Sequence, residues 1–173
     1  VKNNGDSCTY SLNNAIQDLY NPSSNKKKEI TIFTNGKPYI MRVGDKVINR
    51  KNNYHALKPN GDQGSIFNGD IGIVRDIDDS GKIMMVDFVD KGTFALTNDQ
   101  LSFIELAYAI TCHSMQGSQA ERIIVAIDFS SYVLLTKELL YTAITRAQKH
   151  CTLIAQNGAL RFATSKEGVN IKN

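Results

Sequence analysis

Residues Leu139 to Lys149 read LLYTAITRAQK. At ~100° per residue a helix gathers Leu139, Leu140, Ala143, Ile144 and Ala147 into one apolar arc and sets Arg146 roughly 90° from its centre, on the rim. An arginine there is held by the packing behind it, and its planar, permanently charged fork can still meet an anion such as phosphate. Spacing alone favours a solvated surface charge, the common state of a helical arginine. Thr136 is placed to cap the helix, and Glu138 in the first turn suits the helix dipole. Around this helix lie short, nearly continuous apolar runs, Leu106 to Thr111, Ile123 to Ile127 and Thr152 to Ala155. Such runs predict parallel strands covered on both faces, hence an α/β layer.

Upstream the texture differs. Tyr10 to Tyr20 predicts a short helix with Leu12, Ile16 and Leu19 on one face and a stop at Asn21-Pro22, and the polar stretch Ser23 to Lys28 reads as a linker. From Glu29 to about Ile104 the chain consists of short β-type runs separated by glycine. Ile30 to Thr34, Tyr39 to Val43, Lys46 to Ile48, Ile71 to Ile77, Lys82 to Val89 and Thr93 to Leu96 are the expected strands, with turns at Asn35-Gly36, Gly44-Asp45 and Asp78 to Gly81. They predict a small β-barrel inserted into the α/β layer. Asn49 to Ser65 reads as a long polar loop. Its Arg50, Lys51, Asn52, Asn53, Tyr54, His55 and Lys58 suit the phosphates and bases of a single strand, and they equally suit a loop with no partner.

Gly64 to Asp70 has the glycine spacing of a phosphate-binding loop, but Asp70 stands where that motif needs lysine and would repel phosphate. The stretch is read as a tight turn entering a strand. No other segment supplies Gly-x-x-x-x-Gly-Lys-Ser/Thr, so the chain by itself carries no evident nucleoside triphosphate site.

With 173 residues and 42% hydrophobic content the chain can bury a core of one domain or two small ones. It has no apolar run near membrane-span length and no signal-peptide pattern, and Val1 as first residue predicts a piece of a longer protein. A formal charge of +3 permits nucleic acid as partner without demanding it. Cys8, Cys112 and Cys151 are odd in number and lack Cys-x-x-Cys spacing, which predicts free thiols in a reducing compartment, the cytoplasm. The adjacent pairs Cys112-His113 and His150-Cys151 would point to opposite faces of a strand, so no metal is expected. Between the first two apolar runs lies His113-Ser114-Met115-Gln116-Gly117-Ser118, a glycine-containing loop where an α/β sheet usually meets its ligand. An ordinary polar connection fits as well, and no Ser-His-acid set can be specified.

Ala107 to Ser118 (AYAITCHSMQGS) followed by Leu139 to Ala147 (LLYTAITRA) resembles the last two conserved blocks of superfamily 1 DNA helicases of the RecD type, the exodeoxyribonuclease V alpha-subunit-like proteins. Ser11 to Gln17 with Asn21-Pro22 resembles the helix that precedes the barrel there. Gly44 to Val47, Asn52 to Tyr54 and Phe67 to Gly72 resemble the inserted Src-homology-3-like barrel. The resemblance implies an α/β fold, the second RecA-like (P-loop NTPase-like) helicase domain, formed by residues 1–28 and 105–173, with the SH3-like barrel at 29–104. It implies that ATP with Mg2+ is sandwiched between this domain and an amino-terminal RecA-like domain, while single-stranded DNA is moved. Arg146 matches the catalytic arginine that reaches the γ-phosphate. Gln116, Gly117 and Gln119 match nucleotide-binding positions. Thr111, His113 and Ser114 match positions near the DNA backbone, with Asn53 and Tyr54 contributing from the barrel. Further implied partners are recombination or nuclease subunits.

The match departs from the family at Ser114 and Met115, where lysine and a small residue are common, and at Gln119, often glutamate, which keeps a hydrogen-bonding group without charge. A helicase fragment inactive without its missing P-loop domain is therefore the first expectation. A non-enzymatic nucleic-acid-binding or protein-docking module is the alternative.

Overall fold

The computed structural model describes residues 9–115, 118–129 and 132–165. The chain divides into two compact units, one of them Leu12–Ala109 and the other holding the described residues up to Ser11 together with those from Ile110 onward. The expected boundaries were 29 and 104. The earlier unit is wider because the helix α1 (Thr9–Tyr20) bonds into it by its side chains.

That helix forms as its spacing predicts, but its buried face is not the expected apolar one. Leu19 is 75% exposed, whereas Asn13, Gln17 and Asn21, four residues apart, are buried. An unpaired amide in such a place would cost free energy, so each must find partners. The Asn13 side chain exchanges two hydrogen bonds with the Ala109 backbone, at 2.8 and 2.7 Å. Gln17 donates to Ile40 O at 2.7 Å and to the Asp45 carboxylate. Asn21 donates to the same carboxylate at 2.7 Å and to Val43 O at 3.2 Å.

Next come the strands β1 (Glu29–Thr34), β2 (Lys37–Arg42), β3 (Lys46–Asn49), β4 (Asn53–Leu57), β5 (Gln63–Ile66), β6 (Ile71–Ile77), β7 (Ile83–Phe88) and β8 (Gly92–Thr97). A short helix, α2 (Asn98–Leu101), leads to β9 (Ile104–Leu106). β8, β7, β6, β3 and β9 form one antiparallel sheet in that order, and the hairpins β1–β2 and β4–β5 complete the all-β unit. Asn35 and Gly36 turn the first hairpin with φ of 52° and 73°, the left-handed pair a tight two-residue turn requires. Inward-facing Val47, Val86, Phe88, Phe94 and Leu106 are almost fully buried, and the Phe88 and Phe94 rings meet edge to face at 6.0 Å. Gly72 lies so close to β7 that an added Cβ would fall 2.7 Å from Val86 Cγ1.

Two expectations change here. Asn49 to Ser65 is no loop; it contains β4 and β5, paired antiparallel and anchored by buried Ala56 and Ile66. Leu106 to Thr111 is no parallel strand, because the backbone of Ile104–Leu106 pairs antiparallel with β3 and closes the β unit. The Gly64 to Asp70 stretch ends in the expected tight turn, with Gly69 at φ 99° and Asp70 accepting from Phe67 N at 2.6 Å.

In the later unit β10 (Ala120–Ile127) and β11 (Ala147–Ala155) pair in parallel, Val125 opposite Leu153. The helices α3 (Lys137–Ile144) and α4 (Ala159–Ser165) pack with them around Ile127, Leu135, Leu140, Ala159 and Ala163. Thr136 caps α3, accepting from Leu139 N at 3.3 Å. The expected helix to Lys149 stops at Ile144, since Thr145 closes it and Ala147 begins β11. Cover on both faces, expected of parallel strands, is not present within the described residues. Ile124 and Ile154 remain 69% and 59% exposed.

Asp45 is fully buried and accepts from Gln17, Asn21, Arg42 N and the Tyr108 hydroxyl. Asp45→Ala takes the carboxylate from all four donors, leaving Gln17 and Asn21 only their backbone acceptors, and should lower unfolding free energy by about 3 kcal/mol, read as a reduced urea midpoint. Burial, then the Asp45 charge, pushes the Tyr108 phenol up to about 12. With the folded value raised, its stabilising contribution is whole below the unfolded value of about 10 and is lost as pH rises through the folded value. Tyr108→Phe should therefore remove part of the alkaline loss of stability seen by urea titration across that window.

Candidate functional site

Within the later unit, the polar loop after Ile110 folds into a single 3-10 turn, His113–Met115. Ser114 N donates to Thr111 O and Thr111 Oγ1, and the two hydroxyls lie 2.8 Å apart. Thr111 and Ser114 are thereby fixed side by side, while His113 is exposed on the same turn. Gln116 and Gly117 lie outside the described residues.

Arg146 stands in the two-residue link between α3 and β11, beyond the helix on whose rim it was expected. The termination at Thr145 leaves carbonyls at the helix end without intrahelical donors, and the arginine satisfies one of them. Its Nε donates to Thr142 O at 3.2 Å, Nη1 to Ser118 O at 3.5 Å and Nη2 to Thr145 Oγ1 at 3.5 Å. Its own carbonyl accepts from Ala120 N at 3.0 Å. Arg146 is thus pinned at both ends to the start of β10, where Gln119 is exposed and accepts from Gln148 at 3.4 Å. No carboxylate is within ion-pair distance of the guanidinium among the described residues. Burial pushes the nearby Cys112 thiol up, and the Arg146 charge partly opposes that shift.

In the all-β unit, Asn53 and Tyr54 lie on β4 rather than in a loop. Tyr54 is 59% exposed, its hydroxyl receives a hydrogen bond from Asn52 at 3.3 Å, and its ring meets Phe67 edge to face at 5.9 Å. The Lys91 ammonium lies 4.1 Å from the Phe67 ring centre and pairs with Asp70. The result is an exposed Tyr54 ring backed by Phe67, whose own ring carries the Lys91 ammonium.

Residues 12–88 match the family model described as the SH3 domain of ATP-dependent RecD-like DNA helicases, and residues 106–154 match that of the UvrD-like helicase C-terminal domain. The chain belongs to the RecD-like helicase family. It is 30% identical to the ATP-dependent RecD2 DNA helicase of Deinococcus radiodurans over 90% of this chain and 19% of that protein. To the RecBCD enzyme subunit RecD of Mycolicibacterium smegmatis it is 36% identical over 60% of this chain and 18% of that protein. The chain therefore spans about a fifth of the length of these curated RecD relatives. The fold is also that of a Bacteroides Pif1 crystallised bound to ssDNA, with a TM-score of 0.53 and 16% identity over 90% of this chain and 43% of that one. These likenesses make the fold α/β and RecA-like with an SH3-like module, as the RecD resemblance implies.

Sequence reasoning about this RecD-like chain missed the amide stripe of α1, the Asn52 and Phe67 support of Tyr54, and the Lys91 ammonium over Phe67. The i, i+4, i+8 spacing of Asn13, Gln17 and Asn21 was the available signal for the first. Phe67 and Lys91 are far from Tyr54 in sequence and gave none. No helix among the described residues is long and apolar enough to cross a membrane.

Because Arg146 meets only neutral acceptors at 3.2 to 3.5 Å, its side chain contributes little to folding. Arg146→Gln should leave the unfolding free energy of this RecD-like chain within ~1 kcal/mol of wild type by urea titration.

Proposed function

We propose that this chain is the C-terminal region of an ATP-dependent DNA helicase, supplying an arginine finger and part of a single-stranded DNA track. The observation that carries this is the Arg146 guanidinium, anchored by carbonyl and hydroxyl oxygens yet unpaired with any carboxylate among the described residues. A charge held in that way is positioned for an anion arriving from outside, as a γ-phosphate would. Bound ATP with Mg2+ would supply the phosphoryl group, and the lysine-bearing phosphate loop would come from an amino-terminal RecA-like domain. Arg146 would then hold the γ-phosphate and stabilise the charge that develops on it. Gln119 would hydrogen-bond the nucleotide beside it, with Gln116 and Gly117 completing the set from the sequence match.

Thr111, His113 and Ser114, gathered on one turn, would meet the DNA backbone, where contacts position the strand without reading its sequence. Asn53 and Tyr54 would meet it on the barrel, the exposed Tyr54 ring offering a base a stacking platform. The exposed face of β10 and β11, with Ile124 and Ile154 open, is in keeping with a sheet whose second face is covered by helices of a longer protein. Recombination or nuclease subunits would be its further partners, in the cytoplasm, a reading supported by the name of one relative, a RecBCD enzyme subunit.

The chain by itself should not hydrolyse ATP. Joined to the upstream domain of its parent gene it should show DNA-stimulated ATPase, and Arg146→Ala should then lower kcat by about 10³ with DNA affinity retained. Normal turnover in that variant refutes the assignment. Tyr54→Ala should weaken single-stranded DNA binding about tenfold in an anisotropy titration, one stacked base's worth.

A further inference from the structure

A cleft of about 260 Å³ opens beside the entry to β4. It is smaller than sites that enclose drug-sized ligands, and suits a single flat ring system better than a peptide segment. Its apolar wall is Ile66, Leu96 and Phe103, the first two buried. The Lys51 ammonium stands 4.3 Å over the Phe103 ring. Polar groups from two elements complete the lining, Asn53 from β4 and Asp99 and Gln100 from α2.

The hydrogen bonds already made within the protein decide what those groups can offer. Asn53 Oδ1 accepts from His55 N at 3.0 Å, and Gln100 Oε1 accepts from Thr97 N at 3.0 Å. Both amides are thereby oriented so that their NH2 groups are the ends left to donate. The Asp99 carboxylate is exposed and enters no ion pair among the described residues. The Asp99 carboxylate accepts hydrogen bonds from amines and the apolar wall takes the face of a ring, so the cleft offers a base its partners, while Lys51 in the same lining supplies charge for an adjoining phosphate. Asn52 also lines the cleft, and the same side chain donates to the Tyr54 hydroxyl. The cleft therefore adjoins the ring on which a strand would stack.

We propose that this cleft receives one unstacked nucleobase of the bound single strand, and that Asp99 favours bases with an exocyclic amine over thymine. This rests on the barrel forming part of the DNA track. Cytosine and thymine are alike in size and differ at the exocyclic amine, so oligo-dC and oligo-dT are the probes, compared by anisotropy with this chain at mildly alkaline pH. Oligo-dC should bind about fivefold more tightly, the effect of one specific base contact. Asp99→Asn should bring the two affinities together, while Tyr54→Ala weakens both alike. Equal binding of both by wild type, or an undiminished preference in Asp99→Asn, overturns the pocket and leaves the track standing. Binding of neither by a folded chain overturns the track and the pocket with it.

Discussion

A single buried carboxylate, Asp45, holds the all-β unit to the helix before it and to the segment that leaves it. It accepts from two side-chain amides of the α1 region, from the Arg42 backbone N–H at the end of β2, and from Tyr108 just past β9. None of these donors is a cation; the Arg42 guanidinium goes instead to Asp18, Glu29 and Asn21 O. A carboxylate removed from water is tolerable only when its lone pairs are filled, and here four donors fill them. Helix α1 exposes Leu19 and Tyr20 and buries amides, so polar bonds rather than apolar area seat it. Helix α1 and the segment after β9 thus meet at one charge within this unit. Asn13 adds its two-way pairing with Ala109 on the same helix face.

The later unit follows another economy. Its helices cover one face of the β10–β11 pair around Leu140 and Ile127, and among the described residues its other face stays open. The position of Arg146 follows from where α3 ends. One further helical turn would carry the guanidinium away from Ser118, whereas termination at Thr145 puts it against carbonyls that need donors. The chemistry proposed for it depends on those acceptors being uncharged, because a carboxylate partner would compete with an incoming phosphate.

On the barrel, an exposed aromatic and a row of amides become useful only once fixed. Asn52 links Tyr54 to the neighbouring cleft, and Phe67, itself under the Lys91 ammonium, backs the ring from another part of the chain. A flexible loop with the same composition would lose on ordering what it gained on stacking. The β4–β5 pairing removes that cost beforehand.

Local pattern alone determined the alternating strands of the all-β unit, the Asn35-Gly36 turn, the Thr136 cap and the two parallel strands, because these depend on neighbours in sequence. The block around His113 and the LLYTAITRA run named the family for the same reason. Tertiary structure decided the rest. Asn53 to Leu57 and Gln63 to Ile66 are too polar to announce themselves as strands and became a hairpin by burying Ala56 and Ile66. Leu106 went to β3 of the barrel rather than to a parallel sheet, since backbone pairing is chosen among distant partners. The polar face of α1 was settled by Asp45, a partner twenty-four residues from Asn21. Apolar periodicity records what is withdrawn from water, but it does not record which buried polar groups will find each other.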